Sequence, residues 1–295
     1  MPKSILSLIT CTLGRQDKLE RLLTSLSLQN PELFELILVD QNPPDFLDKT
    51  IAPYLSKFTI NHFHTAKGLS LGRNAGINAA RGNFVAFPDD DCWYRPGTIE
   101  KVIEFFNNYK NAEFITGRTF DKNNIQSVSP TFEEEKKITR SNYLSCGNSN
   151  AIFAKTEAVR RLNGFDEQLG VGAKTPFQSG EEADLLLRAV DQKMTLIYTP
   201  NLIIHHDQVQ KIDALAYIER AQKYGTGFGA LMKKHDFGLI TVSSRVFRSA
   251  VRGFLHFSLL QFTEGRYKLA WAKGIACGYR LWPLQDRSLA DKVGK

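Results

Sequence analysis

Over its first 120 residues this chain alternates short apolar runs with helical patterns at the spacing of βαβ units, which restricts it to an α/β sheet. Residues 4–11 read as a strand, and residues 17–29 carry leucines at 19, 22, 23 and 26 on one helical face. A second buried run, 35–39, ends in Asp40 and is broken by Asn42-Pro43-Pro44. An extended stretch, 58–63, precedes the glycine-bearing segment 68–76, which enters a helix ending near Arg81-Gly82. Residues 83–87 form the next strand and deliver Asp89-Asp90-Asp91, after which Pro96 opens a helix to Tyr109. Elements of these lengths imply a mostly parallel sheet covered by helices on both faces.

The three carboxylates directly follow Phe84-Val85-Ala86-Phe87 and so stand at the C-terminal end of a buried strand. Open α/β sheets place their ligand crevice there. Adjacent like charges repel unless a cation neutralises them, and oxygen ligands suit Mg²⁺ or Mn²⁺ rather than zinc. In an extended segment Asp89 and Asp91 project to one side and Asp90 to the other. An acidic turn capping the next helix is the alternative these residues leave open.

From 112 to 155 the pattern becomes irregular, with strands at 113–120 and 148–154 around a polar stretch. A short helix from Thr156, the turn Asn163-Gly164-Phe165-Asp166 and a glycine-rich loop lead to a helix over 181–192, with Leu185, Leu186 and Val190 facing inward. Strands at 195–198 and 202–204 follow, the second delivering His205-His206-Asp207, and beyond Lys211 the chain reads helical.

With 295 residues the chain can bury a sizeable core. No apolar run reaches the roughly 20 residues of a spanning helix, and residues 1–12 do not read as a signal peptide. Cys11, Cys92, Cys146 and Cys277 lack metal-ligand spacing and are expected to be reduced. The net charge of +7 is uneven: from Asp207 onward 15 Lys and Arg face 7 Asp and Glu, a net of +8, leaving −1 for residues 1–206. A basic tail on a near-neutral body suggests contact with an anionic partner, either a membrane surface or a nucleic acid.

Residues 4–207 resemble the family 2 glycosyltransferases of the GT-A fold, which show the same signals in the same order. The counterparts are Ser4-Ile5-Leu6-Ser7-Leu8-Ile9-Thr10; Val39-Asp40; Gly68-Leu69-Ser70-Leu71-Gly72-Arg73-Asn74-Ala75-Gly76-Ile77; Asp89-Asp90-Asp91; Gly164-Phe165-Asp166-Glu167; Gly180-Glu181-Glu182-Ala183-Asp184; and His205. The resemblance implies a Rossmann-like GT-A domain over residues 1–210 with a basic, amphipathic helical extension over 211–295. It implies sugar transfer with inversion, from a nucleotide-diphosphate sugar to a hydroxyl of a glycan or lipid-linked acceptor. A UDP-sugar is the first choice of donor, and Mg²⁺ or Mn²⁺ the cofactor. Thr10, Asp40, Arg73, Asn74, Asp89 and Asp90 would then hold the donor, with Asp89, Asp91 and His205 on the metal. Glu182 stands at the position of the catalytic base, where the family usually has aspartate; glutamate is as basic but one methylene longer. Glu181 and Trp93 would meet the acceptor, and Asp184 reads as a cap or supporting group. His206 would face away from His205, and a register shift of one residue would exchange their roles. The nearest motif likeness is to bacterial enzymes of surface polysaccharide synthesis, which implies a cytoplasmic protein peripheral to the inner face of the plasma membrane.

In the tail, residues 246–262 hold an apolar face, and Arg245, Arg248 and Arg252 are spaced i, i+3, i+7 along another. Such a helix either lies in a bilayer interface or packs on the catalytic domain. Tyr224-Gly225-Thr226-Gly227-Phe228-Gly229 is no phosphate loop, because it follows a helix and lacks a Lys-Ser/Thr ending. Three rivals remain. A metal-dependent nucleotidyltransferase needs an early lysine-bearing glycine loop, which Thr12-Leu13-Gly14-Arg15 matches poorly. A glycoside hydrolase needs two carboxylates and no nucleotide. A nucleic-acid-binding module would use the tail, which has no evident groove-reading motif.

Overall fold

The computed structural model describes residues 5–128, 131–208 and 213–283. Its described residues form two compact units, one within Met1–Glu167 and Glu182–Gln210, the other within Gln168–Glu181 and Lys211–Lys295.

The first unit is built on a single sheet. β1 (Leu6–Thr12), β2 (Phe34–Asp40) and β3 (Thr59–His64) run parallel, and β4 (Phe84–Ala86) joins the other side of β1 in parallel. Every residue of β2 is buried, as its nearly continuous apolar sequence requires. Its one charged interior residue, Glu35, is satisfied: Ser7 Oγ donates to it at 2.7 Å and the Arg81 amide at 2.8 Å. The helices α1 (Gln16–Leu26), α2 (Asp48–Ile51) and α3 (Leu69–Ala79) are the connections of this parallel half, and the leucine face of α1 enters the core.

β5 (Cys92–Trp93) follows the acidic loop. α4 (Thr98–Asn108) begins after Pro96 because Gly97 takes a left-handed conformation, with φ 81°, at its N-cap. β6 (Phe114–Phe120), β7 (Lys136–Lys137), β8 (Ile152–Lys155) with α5 (Thr156–Arg161), α6 (Glu181–Asp191) and β9 (Leu196–His206) complete the order β3-β2-β1-β4-β8-β6-β9-β5, with β7 on β9. The sheet is mixed rather than mostly parallel: β8 runs antiparallel to both β4 and β6, as β5 and β7 do to β9.

The two late strands expected from the sequence are one strand, β9. Its pairing with β6 jumps from Thr116↔Tyr198 to Arg118↔Ile203, so a bulge around Pro200 and Asn201 sets residues 199–202 against Gly117 alone. Arg118 Nε donates to the Pro200 carbonyl at 2.9 Å, and Gly117 leaves the room that the bulge needs, since a Cβ there would collide with the Leu202 carbonyl.

The second unit contains α7 (Ala214–Lys234), α8 (Leu239–Ser258) and α9 (Phe262–Leu281). Residues 224–229 lie inside α7. Gly225 and Gly229 face Gly274 and Gly278 of α9, and a Cβ on any of the four would meet the opposite backbone. The glycines thus serve close helix packing rather than ligand binding.

Candidate active site

The carboxyl ends of β1, β2 and β4 lie at one edge of the sheet because these strands are parallel, and Thr12, Asp40 and the acidic loop after β4 gather there. Asp90 is buried, accepting from Thr12 Oγ1 at 2.8 Å and from Arg15 at 3.1 Å. The same Arg15 nitrogen reaches Asp91 at 3.1 Å, and Arg21 donates to the Asp91 carbonyl at 2.6 Å. The buried Arg73 donates to Asp89 at 3.1 Å, and His206 Nε2 lies 3.0 Å from Asp91 Oδ1. One ligand atom each from Asp89, Asp91 and His206 falls within 4.8 Å of the others. Two carboxylates and an imidazole form a donor set that fits Mn²⁺ or Mg²⁺.

These charges perturb one another. Burial raises the Asp89 pKa against the pull of Arg73, and lifts Asp90 to about 6 against Arg15 and Thr12. For Asp91 burial is outweighed by the His206 hydrogen bond and by the charges of His206 and Arg15, so its pKa falls. Crowded carboxylates with opposed shifts mark a place where a cation changes the balance.

Of the two adjacent histidines, the structure brings His206 to the acids and not His205, on which the resemblance placed the metal. β5 pairs antiparallel with β9, matching Cys92 to His206 and Trp93 to His205. Strand alternation turns His205 to the other side, where it is buried with its ring stacked on Trp93 at 5.3 Å. Burial and Arg95 lower its pKa. Trp93, expected at the acceptor, is engaged by this stack and by Arg21, whose Cζ lies 4.2 Å from the ring centroid.

Asn74, expected at the donor, holds the turn at 164–167. Its amide donates to the Phe165 carbonyl at 2.9 Å and to Glu167 at 3.0 Å, and accepts from the Phe165 amide at 2.8 Å. Arg188 grips the same turn through the carbonyls of Leu162 and Gly164, at 2.6 and 2.7 Å, and is itself oriented by the fully buried Asp184 at 2.8 Å. Phe165, thus fixed, lies against Phe87 and 5.2 Å from the Arg73 guanidinium. The turn therefore supports the arginine that holds Asp89. Thr12, Arg15 and Arg21 hold the acidic loop, and nothing in the sequence pattern marks them for it.

Asp40 is buried at the end of β2. Its Oδ1 accepts from the Asn42 amide and side chain, both at 2.8 Å, while Oδ2 lies 3.0 Å from His62 Nε2 and 3.9 Å from His64 Nδ1. Asp40, His62 and His64 also meet the geometry of a three-ligand cluster. Thr10 is buried, and among the described residues its hydroxyl has no hydrogen-bond partner. Glu181 is buried and Glu182 half-buried in the first turn of α6.

A Rossmann-like mixed sheet flanked by helices, followed by a helical extension, matches the GT-A class of fold. Two solved structures share it: residues 1–349 of S. aureus TarS, with TM-score 0.58 at 15% identity over 90% of each chain, and the mannosyltransferase PcManGT of Pyrobaculum calidifontis, solved with GDP-Man and Mn²⁺. The latter gives TM-score 0.59 at 14% identity over 96% of this chain and 87% of that one. The profile of glycosyl transferase family 2 matches residues 7–168, more than half of the chain, and the chain belongs to that family. It is 26% identical over 229 residues to the pre-mycofactocin glycosyltransferase of Mycobacterium tuberculosis, covering 74% of this chain and 45% of that protein. It is 29% identical over 175 residues to the minor teichoic acid biosynthesis protein GgaB of Bacillus subtilis, covering 55% and 18%. The match thus spans less than half the length of these two relatives.

Proposed function

We propose that this protein transfers a sugar, with inversion, from a nucleotide-diphosphate sugar to a hydroxyl of a glycan or lipid-linked acceptor. The observation that carries this reading is the meeting of Asp89, Asp91 and His206 at the carboxyl edge of the sheet. A divalent cation held by these three would supply Lewis-acid stabilisation to the diphosphate leaving group. Arg73 aims Asp89 and opposes the rise that burial imposes on its pKa, while Thr12 and Arg15 take up Asp90 and so fix the loop. Asp40 would accept the N–H of the base, its carboxylate oriented by Asn42 and His62. Glu182 would remove the proton of the acceptor hydroxyl, with Glu181 and Trp93 on the acceptor side.

The proteins solved with UDP-GlcNAc and with GDP-Man support a nucleotide-sugar donor, and a UDP-sugar remains the first choice. The likeness to a teichoic acid biosynthesis protein favours a surface-polysaccharide acceptor, made at the inner face of the plasma membrane. The nucleotidyltransferase, hydrolase and nucleic-acid readings gain no support from the comparisons. The test is transfer of a labelled sugar from a donor panel to polyprenyl-linked and free glycans. Glu182→Gln should slow transfer by roughly 10²–10⁴-fold, the usual worth of a general base, with donor binding intact. Unchanged transfer in that variant would remove Glu182 from the reaction.

A further inference from the structure

α8 has two apolar faces. At about 3.6 residues per turn, Val242, Ser249 and Gly253 fall on one side, and these are buried. Gly253 faces Leu269 and the Gly265 carbonyl of α9, and Ser249 Oγ donates to the Lys268 carbonyl at 2.8 Å. The opposite side carries Ile240, Phe247, Val251, Phe254 and Leu255, all exposed, Ile240 at 88% and Phe247 at 69%. The stripe continues onto the α8–α9 turn through Leu259, Leu260 and Phe262, with Leu260 at 75%. So many large apolar side chains in one contiguous patch are unusual on a free surface.

The charges beside the stripe are of one sign. Arg248 and Arg252 are exposed along one flank with Arg245 behind them, and no Asp or Glu occurs between Asp236 and Glu264. No helix among the described residues is long and apolar enough to cross a membrane, so this stripe suits lying along one. A second copy of the chain is the less suitable cover, because a two-fold contact would set the same acid-free patch against itself.

We propose that the outer face of α8 and the α8–α9 turn form an in-plane docking surface for an anionic lipid bilayer. The apolar stripe enters the acyl boundary, and Arg248 and Arg252 reach the phosphates with their stems along it. This deepens the membrane-side placement proposed above and is independent of the donor chemistry.

Co-sedimentation of the full chain with vesicles tests it. The protein should partition onto vesicles of about equal parts phosphatidylglycerol and phosphatidylcholine, and less onto phosphatidylcholine alone or at high salt. Phe254→Asp should lower the partition by at least about tenfold, and Arg248→Ser with Arg252→Ser by about fivefold per arginine. Both variants should keep the wild-type circular dichroism, unfolding temperature and donor-induced thermal shift. These readouts separate loss of docking from loss of fold or of the donor site. Absence of partition onto anionic vesicles, or an unchanged partition in Phe254→Asp, would overturn the proposal. So would a dimer in light scattering that Phe254→Asp dissociates, which would assign the face to a second copy.

Discussion

His206 Nε2 lies 3.0 Å from Asp91 Oδ1, so an imidazole and a carboxylate of the same candidate metal set pair with each other. Burial alone would lower the His206 pKa, but the Asp91 hydrogen bond and the charges of Asp91 and Asp89 outweigh it and raise it. A raised folded-state pKa gives stability that is complete below the ordinary value of about 6.5 and is lost as pH rises through the folded value. An imidazolium cannot ligate, so cation binding must displace this proton. Mn²⁺ affinity, measured calorimetrically, should therefore climb as pH rises through that window. His206→Gln should weaken Mn²⁺ by at least about tenfold and flatten the pH slope, leaving the part due to Asp89 and Asp90, whose pKa values burial raises. An undiminished affinity in the variant would remove His206 from the set.

Arg73 offers a second test. Its side chain is 2% exposed and that of Asp89 32%, so Arg73→Met leaves a recessed carboxylate without its counter-charge. Breaking a buried pair costs about 3–5 kcal/mol, and the partial exposure of Asp89 holds the loss to the lower end. The Asp89 pKa should rise further once the lowering effect of Arg73 is gone. Urea unfolding at several pH values should show the loss shrinking in acid, where Asp89 protonates; a pH-independent loss would point to packing alone.

Asp207 ties the end of β9 to α1, with Arg21 at 2.9 Å and Lys18 at 2.5 Å. The Arg21 hydrogen bond, above all, holds its pKa down at about 2. A depressed folded-state pKa gives stability that is present above the ordinary carboxylate value of about 4 and is lost as pH falls toward the folded value. Between these limits the unfolding temperature of the wild type should fall more steeply than that of Asp207→Asn. Parallel curves would deny the pair any role in acid stability.

The helical unit is tested by glycine. Gly278→Ala would drive its Cβ against the Thr226 carbonyl, whereas a Cβ on Gly238 meets nothing within 4 Å. Thermal unfolding should show a loss of about 1–3 kcal/mol or more for Gly278→Ala, and a change within about 0.5 kcal/mol for Gly238→Ala.

The strands and helices of the parallel half were legible because each element there has its own apolar period and its own breaker, as Asn42-Pro43-Pro44 after β2 shows. The acids after β4 were legible as a group for the same reason. The choice between His205 and His206 was not. It depends on a strand whose register is set by a bulge over Pro200 and Asn201 and by pairing with a two-residue strand, both long-range facts. The hold of Asn74 on the turn at 164–167 was not legible, because an amide beside an arginine gives no sign that a distant turn takes up its hydrogen bonds. Thr12, Arg15 and Arg21 were missed for a like reason, since nothing local marks them as partners of residues 90 and 91. The glycine-rich loop through Gly180 lies in the same compact unit as the helices after residue 210, where Leu169 and Phe177 pack on Ala230, a long-range fact that no local pattern carries.

The most direct test of the central claim is thermal stabilisation by UDP-, GDP-, dTDP- and CMP-sugars, each with and without Mn²⁺, for the wild type and Asp91→Asn. A metal-dependent donor site at Asp89, Asp91 and His206 predicts a shift for one nucleotide that vanishes with chelator and is absent in the variant. A folded wild type with no shift for any donor, or a shift that survives both chelation and Asp91→Asn, would contradict it.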